Sequence, residues 1–93
     1  MQISEHEIKK LRAQIDQIHV DLARLFQHRL QLNLKIWELK KQNQLPLLDA
    51  KREIEIIHRF DTQTENENEK IALQNFFKTI LTESKIYTGK QMK

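Results

Sequence analysis

Apolar side chains recur along the first half of the chain at Ile8, Leu11, Ile15, Ile18, Leu22 and Leu25, and again at Leu32, Ile36 and Leu39. The steps alternate between three and four, the spacing of a helix face that packs along a seam. The stripe is interrupted once, at Arg29. Ser4 followed by Glu7 has the form of a capping box and predicts a helix start. The polar residues before Pro46 predict its end near Asn43, since the residue preceding a proline is driven out of helical geometry. A helix of this length is about 60 Å long.

Two shorter helices are expected after it. One spans 49–62 with Asp49 as its N-cap, and the other spans 65–88, opened by the box from Thr64 to Glu67. The polar stretch DTQTENENE between them reads as the turn. A chain of 93 residues is expected to form a single domain, and a compact one has a radius of gyration of only about 13 Å. Two short helices cannot cover a rod of the predicted length, so much of its apolar seam would stay wet in a monomer. The expectation is an all-α fold of three helices, one very long, forming an intertwined, domain-swapped homodimer.

Composition narrows the class. One glycine and one proline leave too few turn residues for a β-rich fold. Cysteine is absent, so there is no disulfide framework and no thiolate chemistry, which fits a reducing, cytoplasmic location. The charged N-terminus does not read as a signal peptide, and no apolar run is long enough to span a membrane. The net charge of +3 is spread among interspersed acids and bases, which solubility alone explains. With no DNA-binding turn in view, no nucleic-acid partner is expected. His6, His19, His28 and His58 lack the spacing of metal ligands and read as surface or rim groups, so no metal or cofactor is expected. Trp37 and Phe26 flank the seam and read as core.

The polar residues that break the apolar faces carry the candidate chemistry. Lys40 lies eleven residues after Arg29, about three turns on and nearly on the same face. Arg12 lies seventeen residues before it, roughly 25 Å away along the axis, so only an antiparallel partner helix would bring an Arg12 to the same ligand. Asp49, Arg52, Glu53 and Ile56 share one face of the second helix. Leu73, Phe77, Ile80, Ser84 and Thr88 share a stripe on the third, whose last two members are polar where Leu would fit. Singly, such residues are ordinarily register devices, caps, surface ion pairs or small residues at helix crossings. Together, the three cations of the first helix, two carboxylates and two hydroxyls on apolar faces need partners. Their surplus of cations predicts a small bound anion, and a guanidinium holds a carboxylate through two parallel hydrogen bonds.

This constellation resembles the all-helical class of chorismate mutases. The resemblance runs from IKKLRAQIDQIHVDLARLFQHRLQLNLKIWELK through LPLLDAKREIEIIHRF to FFKTILTESKIYT, almost the whole chain. It rests on the opening L-R-x-x-I-D-x-I-x-x-x-L-x-x-L-x-x-x-R, the lysine eleven residues later and the D-x-x-R-E that follows. It implies a swapped dimer in which Arg29 and Arg12 of the partner subunit clamp the two carboxylates of chorismate. Lys40 would contact a carboxylate and the ether oxygen, and Asp49 and Glu53 would accept from the ring hydroxyl. Arg52 would complete the network, Ser84 would bond near the ring carboxylate, and Ile36 and Ile56 would form apolar walls. The family usually carries Gln, sometimes Glu, four residues after this serine as a donor to the ether oxygen. Here the position is Thr88, a shorter donor.

The implied reaction is the Claisen rearrangement of chorismate to prephenate, an isomerase activity of aromatic amino acid biosynthesis. It uses no nucleophile, acid or base, consistent with the lack of any such constellation. The alternatives on the same scaffold are an isochorismate–pyruvate lyase, an aminodeoxychorismate mutase, or a non-catalytic helical dimer that senses such a ligand.

Overall fold

The computed structural model describes residues 2–93, with side chains from residue 4 onward. It has three α-helices, α1 (Gln2–Gln42), α2 (Ala50–His58) and α3 (Glu67–Gln91), with a single 3₁₀ turn at Asp61–Gln63. The chain extends over 62 × 29 × 15 Å with a radius of gyration of 17.7 Å, well above that of a compact domain of its size. Its long dimension is that of α1. No described helix is long and apolar enough to cross a membrane.

Helix α1 already includes Ser4, so that residue does not cap it; a cap must precede the first helical residue. At the other end the helix stops before the proline is reached. Gln44 takes φ 57°, its N–H donates to the Lys41 carbonyl at 3.2 Å, and the Leu45 N–H donates to the Lys40 carbonyl at 2.7 Å. These paired bonds with a left-handed residue form a Schellman turn. Pro46 then keeps the chain extended toward α2.

The Asp49 side chain caps α2, accepting from the Arg52 N–H at 3.0 Å as expected. The helix ends at His58, four residues short of its predicted limit, because tertiary partners take over. Phe60 stacks on Phe77 with ring centroids 4.9 Å apart, and Asp61 accepts from Gln74 Nε2 at 2.9 Å and meets His58 Nδ1 at 3.0 Å. The bonds from Gln74 and then His58 hold the Asp61 carboxyl below its ordinary pKa. Helix α3 is capped by Asn66, whose side chain accepts from the Glu69 N–H at 3.1 Å, instead of by Thr64, whose hydroxyl accepts from Asn66 N. It continues through Gly89 to Gln91, three residues beyond the predicted end at Thr88.

Side-chain pairs fix the topology. Arg29 meets Ser84 and Asn33 meets Thr88, so α3 runs parallel to the C-terminal half of α1. Lys85 meets Glu53 while Gln74 meets Asp61, so α2 runs antiparallel to α3. Among the described residues, the buried ones all lie on α3: Leu81, Ser84 and Thr88. Every side chain from Ser4 to Leu25 is exposed, and the α1 seam is open throughout, with Leu11 at 56% and Ile18 at 55% of full exposure. Phe26 and Trp37, expected in a core, are half-buried, since each borders an open cavity between α1 and the other helices. Leu22, Leu25 and Phe26 instead form an apolar trough with Phe76, Phe77 and Ile80 of α3.

Candidate active site

The three helices and the α1–α2 connection enclose a cavity of about 290 Å³, close to the lower limit of small-molecule sites. Helix α1 lines it with Arg29, Asn33, Ile36, Trp37 and Lys40, which recur at one helical face. Helix α2 contributes Arg52, Glu53 and Ile56, with its cap Asp49 beside them; α3 contributes Leu81, Ser84 and Lys85. Leu47 and Leu48 close the end, carried there by the turn at Gln44 and Pro46.

Hydrogen bonds between the helices orient the charged groups. Arg29 Nη1 donates to Ser84 Oγ at 2.7 Å, and Ser84 Oγ donates to the Ile80 carbonyl at 2.7 Å. The serine's one proton is therefore used within α3, and its remaining role is to hold the guanidinium. Burial lowers the Arg29 pKa and the nearby Arg52 charge pushes the same way, yet an arginine stays cationic at any physiological pH. Lys40 Nζ donates to the Leu47 carbonyl at 3.4 Å, which ties the end of α1 to the closing loop. Lys85 Nζ lies 2.7 Å from Glu53 Oε1. Four cations thus face two carboxylates across apolar walls, and one carboxylate is already paired. The cavity keeps a positive surplus suited to an anionic guest.

Eight of the ten residues singled out in the sequence meet here: Arg29, Ile36, Lys40, Asp49, Arg52, Glu53, Ile56 and Ser84. Two do not. Arg12 is exposed on the projecting half of α1 and lines no part of the cavity. Thr88 is wholly buried (0% exposed) behind Asn33, whose Nδ2 donates to Thr88 Oγ1 at 3.1 Å. Sequence reasoning missed Asn33, Trp37, Leu47, Leu48, Leu81 and Lys85 as wall residues. Asn33, four residues after Arg29 and seven before Lys40, was marked by that spacing. Among the described residues no group of His, Asp and Glu side chains could hold a metal ion.

A family model for chorismate mutase type II matches residues 11–88. The chain belongs to the chorismate mutase type II family. The match covers α2 and most of α1 and α3, and takes in all ten predicted site residues, ending on Thr88. No curated protein and no solved structure matches the chain significantly. The charged lining of the cavity consists of Arg29, Lys40, Arg52 and Lys85 with Asp49 and Glu53.

Proposed function

We propose that this chain is a chorismate mutase that converts chorismate to prephenate as a homodimer. The observation that carries this reading is the cavity itself, in which Arg29, Lys40 and Arg52 converge with Asp49 and Glu53 inside apolar walls, in a chain of this family. Arg29 binds one carboxylate of the substrate, and Arg12 of the partner subunit binds the other. An Arg12 from the same chain sits roughly 25 Å away along α1 and cannot. The half-exposed seam supports the pairing. Eight seam residues outside the cavity still expose about half their surface. Covering them in both copies contributes roughly 16 kcal/mol, against an association cost of about 4–15 kcal/mol.

The reaction is intramolecular: the ring C–O bond breaks, a C–C bond forms between the two ends of the substrate, and no proton moves. The site has two tasks. It holds a flexible dianion in the compact conformer that brings the reacting carbons together, an orientation effect that the arginine clamp supplies. It also stabilises the negative charge that grows on the ether oxygen, for which Lys40 is the fixed cation. Asp49 and the Glu53 oxygen left free by Lys85 accept from the ring hydroxyl and set which face of the ring enters.

The test follows loss of chorismate by absorbance, with products identified and with isochorismate and aminodeoxychorismate as parallel substrates. Wild-type protein is expected to turn over chorismate in preference to the other two. Lys40→Ala and Arg29→Ala are each expected to lower kcat/KM by at least about 10²-fold while the fold persists. Near-normal turnover by Lys40→Ala, or none by the wild type, would overturn the assignment.

A further inference from the structure

Besides the exposed bond from Gln31 to Tyr87, two part-buried rungs join the parallel helices α1 and α3: Arg29 to Ser84, and one helical turn on, Asn33 to Thr88. In the second rung the threonine is sealed from the cavity and the asparagine lines it. A primary amide has two N–H groups and one carbonyl oxygen. Its bond to Thr88 engages one N–H and fixes the amide plane, leaving the other N–H for a guest in the cavity. Asn33 stands two turns before Lys40 on the same face of α1. Both line the cavity, where the Lys40 ammonium donates to the Leu47 carbonyl at 3.4 Å.

We infer that Asn33 supplies the neutral hydrogen-bond donor to the breaking ether oxygen, with Thr88 as the positioning residue that holds its amide. The inference rests on the mutase reading above and deepens it. The oxygen gains negative charge as its ring C–O bond breaks and ends as the ketone oxygen of the product. The Asn33 N–H donates a hydrogen bond throughout and transfers no proton. Lys40 supplies charge and Asn33 supplies direction. The short side chain at position 88 then carries no catalytic penalty, because the donor comes from α1 instead of α3.

The experiment measures kcat and KM for chorismate in wild type, Asn33→Ala, Thr88→Val and the double variant, with thermal melts to verify folding. Asn33→Ala is expected to lower kcat by about 10²-fold with KM changed only a few-fold, because the bond strengthens in the transition state. Thr88→Val keeps the buried volume but removes the acceptor, and is expected to lower kcat by about 10-fold. In the Asn33→Ala background it should have no further effect, since the two act as one unit. A kcat for Asn33→Ala within two-fold of wild type, while Lys40→Ala is inactive, overturns this inference alone. So does a Thr88→Val loss of equal size in both backgrounds. Absence of turnover by the wild type overturns the mutase reading and this inference together.

Discussion

At the scale of single residues, several side chains serve the fold and the cavity at once, and these uses can be separated. Asp49 caps α2 through the Arg52 N–H and also lines the cavity. Asp49→Asn keeps an oxygen for the cap and should hold stability within about 0.5 kcal/mol, while Asp49→Ala should cost about 1 kcal/mol in a urea melt. Both variants lose the charged acceptor proposed for the ring hydroxyl, so kcat/KM should fall about 10-fold in each. A full-activity Asp49→Asn would confine the residue to capping. Asp49, Arg52, Glu53 and Ile56 were legible in the sequence because helical spacing alone puts them on one face. Lys85 was not, and Asn33 was marked only by its register with Arg29 and Lys40, because a polar residue beside a seam looks like a solvated one until a second helix is laid against it. The rungs to Thr88 and Glu53 supply that meaning and exist only across elements.

Among the elements, helix existence and order follow from the apolar period, whereas the ends depend on competition that the period does not resolve. Thr64 with Glu67 and Asn66 with Glu69 are both valid cap pairs two residues apart, and the asparagine takes the helix start. The end of α2 is decided by Phe60 stacking on Phe77 of α3, a partner seventeen residues away. At the end of α1 the stop comes from backbone geometry at Gln44, which sits at φ 57° without being glycine. This left-handed position costs an ordinary residue roughly 1 kcal/mol. Gln44→Gly is therefore expected to stabilise the protein by about 0.5–1 kcal/mol, read as a higher urea midpoint at fixed protein concentration. A lower midpoint would mean that the Gln44 side chain contributes more than its backbone strain removes. The same turn delivers Leu47 and Leu48 to the cavity and places a carbonyl beside Lys40, so it shapes the site as well as the helix end.

For the whole molecule, the decisive asymmetry is that α2 and α3 cover only the C-terminal half of α1. The N-terminal half projects with its seam exposed and carries Arg12 far from the cavity in its own chain. The proposed homodimer removes both anomalies together, since an antiparallel second α1 covers the seam and brings an arginine to each cavity. Mixing separates this arrangement from one in which each chain builds its own site. Arg12→Ala and Arg29→Ala should each be inactive alone. After subunit exchange, random pairing makes about half of the dimers mixed, and symmetry gives each mixed dimer one site with both arginines and one with neither. Activity should therefore return to about a quarter of the wild-type value. Exchange verified by capture through a tag on one variant, with no activity regained, would place both arginines of a site on one chain and exclude the shared site.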